Sequence, residues 1–157
     1  MSVITHAVRK SNLATMIGSP GGISVGTAIA RARANLETMR EQALQVIEAS
    51  ISALEAIPAP TGPEDTSTRR EQAYREATSL IDAAGPFELF DLCRAASGLC
   101  DLIGVLDPEQ PFDWRIVTVH ARSLRLLQAL PPEAALERAH ILDSLNEVVQ
   151  RKLAQTG

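Results

Sequence analysis

The stretch Ala83–Gly104, AAGPFELFDLCRAASGLCDLIG, sets the tightest limit on what this chain can become. At helical spacing it carries apolar side chains on nearly every side, interrupted mainly by Asp91, Arg94 and Asp101. A helix that is hydrophobic all round must be covered by its neighbours, so this one is expected at the centre of a bundle. The rest of the chain agrees. Ala and Leu are abundant and aromatic residues make up only 3%. That bias suits helices, where Ala and Leu lose little side-chain freedom. No alternating strand pattern is present.

The punctuation predicts an all-α, up-down bundle of about five helices with a long first helix. Residues 1–23, with Gly18, Pro20, Gly21 and Gly22, read as a flexible arm, and residues 24–157 as one helical-bundle domain. Ser24 is placed to cap a helix running to about Ile57. Within it Ile29, Leu36, Ala43 and Ile57 share one heptad position, and Ala32, Met39, Val46 and Ala53 the other. Leu44, Ile47, Ile51 and Leu54 form a second stripe. That is more apolar surface than a peripheral helix needs, so the stripe is expected to mediate self-association. Pro58–Pro63 stops the helix. A second helix is expected over 66–84, with Thr68 and Glu71 as its capping box. Its inner side would hold Tyr74, Ala77, Leu80, Ile81 and Ala84. Gly85-Pro86 breaks it, and Pro86 would open the apolar helix over 86–106. After a loop at Asp107–Pro111, Asp113 caps a fourth helix reaching about Leu130, with Trp114, Val117, Ala121, Leu124 and Leu127 inward. Pro131-Pro132 precedes a last helix over 132–154, with Leu136, Ala139, Leu142, Leu145, Val149 and Leu153 inward.

Several chemistries are disfavoured. The net charge is −4 and no dense Lys/Arg cluster exists, so no nucleic-acid partner is expected. No window holds the ~18 uncharged apolar residues a membrane span needs. The first residues lack the continuous apolar core of a secretory leader. Cys93 and Cys100, on one helix, stand roughly 10 Å apart, too far for a disulfide. They read as small core residues, and reduced thiols suit a cytoplasmic protein. No Cys/His spacing suggests a metal, and no phosphate-binding loop follows a strand. Neither a cofactor nor an enzymatic activity is expected. His120 has two readings, a phosphoryl acceptor or acid/base group, and a histidine at the edge of the core bonded to backbone or solvent. Arg69, Arg70 and Arg75 with Glu71 and Glu76 read as a solvated face or as a docking surface for an acidic partner.

The order of features over residues 74–103 resembles the histidine phosphotransfer bundle. Ala84–Phe87 matches its turn, with Glu88 where Gly is usual, and Leu92, Ala96 and Leu99 match its following helix. The acceptor histidine would stand at Thr78, so the acceptor is missing, as is its accompanying Lys-Gly pair. A closer resemblance is to the small helical CheE proteins of alphaproteobacterial chemotaxis clusters. It is carried by Gly21, Gly22, Ala28, Asn35 and Leu36 in the arm and first helix, and by the turn Ala84, Gly85, Phe87. The block Leu99-Cys100-Asp101-Leu102 continues it. It ends with Trp114, Val119, His120 and the run Leu124-Arg125-Leu126-Leu127. The resemblance implies a non-enzymatic signalling adaptor for chemotaxis or two-component systems. Its partner would be a response-regulator receiver domain or a chemotaxis kinase, docked around Arg75, Thr78, Ser79 and Asp82. Two alternatives stand beside it: a true phosphotransfer protein using His120, and a structural homodimer.

Overall fold

The computed structural model describes residues 24–105 and 112–154, the side chain of Glu64 apart. The expected arm at 1–23 and the loop at 107–111 lie outside the described residues. All regular structure among the described residues is helical: α1 (Val25–Ala56), α2 (Pro63–Ala84), α3 (Phe90–Val105), α4 (Arg115–Ala129) and α5 (Ala135–Ala154). A 3-10 turn, Gly85–Phe87, joins α2 to α3. The all-α bundle expected from the sequence is therefore what the chain forms. It divides into two compact units, 1–38 and 39–157, with the division inside α1. In the first unit every described residue is exposed, and Ser24 Oγ accepts a hydrogen bond from the Thr27 backbone N–H at 3.2 Å, capping the helix as expected.

The second unit holds the core. Its part of α1 buries Ile47, Ser50, Ile51 and Leu54, with Ile57 just beyond the helix end. The expected heptad seam is not what packs. Met39 and Val46 are exposed, because burial follows the 47-51-54 stripe at spacing three and four. Arg125 on α4 fastens this part of α1 at its edge, reaching Glu48 at 2.6 Å, Ser52 at 2.8 Å and Glu55 at 2.8 Å.

The second helix starts earlier than its expected capping box. Pro63 fills the first turn after an extended Gly62 that offers no side-chain cap. Asp65 instead accepts from the Thr61 backbone N–H at 3.0 Å, while Arg69 donates to Ala59 O at 2.7 Å. Thr68 lies inside the helix, past its first turn. The buried stripe is Arg70, Ala73, Ala77, Leu80 and Ala84. Ile81 is half-buried and Tyr74 is turned out, 45% exposed, because the stripe one step away already fills the contact.

At the corner Glu88 adopts a left-handed conformation, φ 59° and ψ 28°. It is the one non-glycine residue with positive φ among the described residues. The cost for a side-chain-bearing residue is about 1–2 kcal/mol, which explains why glycine suits this position in the turns that it resembles. Pro86 belongs to the 3-10 turn, so α3 begins at Phe90 rather than at Pro86.

The apolar helix α3 buries Leu92, Ala95, Ala96, Leu99, Leu102 and Ile103 and packs against α2, α4 and α5. Its central position follows from that threefold cover. Asp113 sits two residues before Arg115, the first of α4, where Oδ1 accepts the Arg115 backbone N–H at 3.2 Å. The Arg115 guanidinium first, then Lys152 at 3.0 Å from α5, hold its carboxyl well below the usual carboxylate range. Trp114 is half-buried, edge-on to Phe112, rather than fully inward. In α5 burial begins late. Leu136 is 84% exposed and Ala139 is also exposed, contrary to expectation, whereas Leu142, Leu145 and Val149 are buried. The helix starts at Ala135, past the turn at Pro131-Pro132, and its first turn is attached by Arg138 instead. That guanidinium meets Asp91 at 2.6 Å and donates to the orphan carbonyls of Leu127 at 2.7 Å and Leu130 at 2.9 Å.

Candidate functional site

Arg75, Thr78, Ser79 and Asp82, singled out from the resemblance, come together in one open groove on the outer side of α2. Their spacing of three and four puts them on one helical face. Val46 from α1 and Tyr74 and Ala83 from α2 complete the lining. Thr78 Oγ1 donates to Tyr74 O at 2.9 Å and lies 4.0 Å from Cys100 Sγ. The groove therefore has an apolar floor, two small hydroxyls in the middle and one charge of each sign at the rim. Tyr74 and Val46 escaped the sequence reading as site residues. Tyr74, one turn before Thr78, carried a signal that was read as core.

His120 is fully buried, at 0% exposure. Its Nδ1 lies 2.8 Å from Ile116 O. A carbonyl only accepts, so Nδ1 carries the proton and Nε2 keeps a lone pair. Nε2 is buried, and among the described residues it has no hydrogen-bond partner. A phosphoryl acceptor must meet a second protein, whereas this ring is covered within the chain's own core, deeper than the core edge expected of a backbone-bonded histidine. Burial pushes its pKa down, opposed only by the backbone bond to Ile116. The unfolded chain then takes up a proton more readily than the folded one. Stability is complete above about pH 6.5, the ordinary histidine value, and falls as pH drops below it. We expect stability in urea melts to fall as pH drops below about 6.5, and that fall to be absent from His120→Leu.

The stripe expected to mediate self-association does not face outward. Ile47 and Ile51 are 0% exposed and Leu54 2%, all within the chain's own core, and only Leu44 is exposed. The first helix needed that stripe to cover the bundle. The run of arginines is likewise not a plain solvated face. Arg70 is buried, donates to Ile103 O at 2.8 Å and stacks 5.0 Å over the Phe112 ring. Arg69 bonds the chain before α2, and Arg75 alone of the three is exposed. Cys93 and Cys100 are free and half-buried. Burial raises both thiols, keeping them protonated rather than nucleophilic at neutral pH.

Among the described residues no three His, Cys, Asp or Glu side chains gather as metal ligands, and no helix is long and apolar enough to cross a membrane. No protein-family model, curated protein or solved structure matches this chain.

Proposed function

We propose that this protein is a non-enzymatic cytoplasmic adaptor. It binds a response-regulator receiver domain of a chemotaxis or two-component system through the groove around Thr78. One observation carries the reading: four residues chosen from a sequence resemblance line a single accessible groove, with an apolar floor and charged rim. A receiver's active site is a cluster of carboxylates, which Arg75 meets at the edge, raising the association rate more than the affinity. Thr78 stands where a phosphotransfer bundle carries its imidazole. It lets the surfaces close with no acceptor between them, so the complex sequesters or scaffolds its partner and relays no phosphate. A chemotaxis kinase offering an acidic face is the other partner of this chemistry. Tyr74 supplies the rigid aromatic contact that such interfaces favour.

The test is Arg75→Glu combined with Thr78→Arg. Calorimetry against the receiver domains of the source organism is expected to show binding weakened by about tenfold or more. Helical content and melting temperature stay near wild type, because neither residue is in the core. Unchanged affinity in the double variant removes the groove as the docking surface.

A further inference from the structure

A second cavity lies on the opposite side of α3, between α3, α4 and α5, with a volume of about 610 Å³. That is the size of a small-molecule site. Its walls are mainly apolar, formed by Cys93, Leu142, Leu145 and Val149 among others, with Ser97, Asn146 and Gln150 as uncharged polar members, and His120 lines it from α4. We propose that this cavity binds a small, uncharged, mainly apolar molecule carrying one hydroxyl or N–H donor, which His120 Nε2 accepts.

One hydrogen bond of the core is unmade among the described residues. Buried polar atoms almost always have partners, and each exception calls for an explanation. The Ile116 carbonyl fixes the proton on Nδ1, so Nε2 is committed to accepting. Among the described residues nothing donates to it. Gly98 flanks this nitrogen closely: a Cβ there would stand 3.7 Å from Nε2 and a tight 3.3 Å from Val149 Cγ2, so an added methyl would narrow the approach to the lone pair. The charges near the site are Arg94 and Asp101 on α3, both exposed, and they cancel. A net-charged ligand gains nothing there, and the half-buried, protonated Cys93 adds no charge. An apolar body with a single donor matches both wall and lone pair.

The test uses the full chain labelled with 15N-histidine and two probes of one shape, 1-naphthol and naphthalene. Calorimetry is expected to show 1-naphthol bound about tenfold more tightly, the worth of one buried hydrogen bond. The Nε2 resonance should move to the hydrogen-bonded position with 1-naphthol and stay put with naphthalene. Gly98→Ala should weaken 1-naphthol selectively. It should still fold, since alanine's helix propensity offsets the close contact with Val149. His120→Leu should bind the two probes equally. If that variant fails to fold, the wild-type resonance and Gly98→Ala decide. The proposal is overturned if 1-naphthol binds no better than naphthalene, or if neither binds up to the solubility of the probes. It is equally overturned if Nε2 is already hydrogen-bonded in the free protein, since a resident water would then account for the lone pair. None of these outcomes bears on the α2 groove.

Discussion

Leu99→Ala is expected to lower the free energy of unfolding by about 2–5 kcal/mol, read from the midpoint of urea melts with an unchanged slope. Leu99 is fully buried at the middle of α3, the helix covered by α2, α4 and α5. Cover on three sides leaves little room to collapse, so the cavity persists and the loss falls toward the upper end. Against a usual total of about 5–15 kcal/mol, that is a large share. Val105→Ala on the same helix, at an exposed position, should change stability by no more than about 0.5 kcal/mol. A near-neutral Leu99→Ala would mean that α3 lies at the surface.

Ile47→Glu combined with Leu54→Glu is expected to abolish the folded state. Each places an unpaired carboxylate in a core position of at most 2% exposure, costing more than about 4 kcal/mol. Far-UV and near-UV circular dichroism would show loss of helix and of fixed packing. Leu44→Glu alone, on the exposed end of the same stripe, should melt like wild type. The contrast separates two roles for one sequence pattern. A double variant that stayed folded but changed only its sedimentation would make the stripe an interface between copies.

Fold class, helix count and the central place of α3 were legible because they rest on hydrophobic period and on Pro and Gly breaks, which act locally. Of the two apolar patterns legible in α1, only the second stripe, Ile47, Ile51 and Leu54, is a buried face, and its use was not legible. Periodicity says that a face is covered and leaves open whether the cover is this chain or another. Arg70 and Arg138 were misjudged or missed for a related reason. Each is paired with carbonyls more than a turn away in sequence, at Ile103, Leu127 and Leu130, which no local pattern reveals. Tyr74 and Leu136 were assigned inward from type alone, while the bundle had already filled those faces with smaller or later residues. At the candidate groove the four chosen residues shared a face because helical spacing guaranteed it. Val46 joined them only through packing between helices. The cavity at His120 was invisible, since it needs three helices to exist.

The main helix pairings have a consequence for how the chain reaches this state. The pairs α2–α3, α3–α4 and α4–α5 join neighbours along the chain, and α3–α5 skips one helix. Contacts this local mean low contact order, and bundles of that kind fold in about microseconds to milliseconds. The α2–α3 hairpin can therefore close while the rest of the chain is still being made. The side of α3 at Gly98 cannot, because its cover includes Val149 near the end of α5. During synthesis that flank stays bare until α5 emerges, and α5 then completes both the core and the cavity.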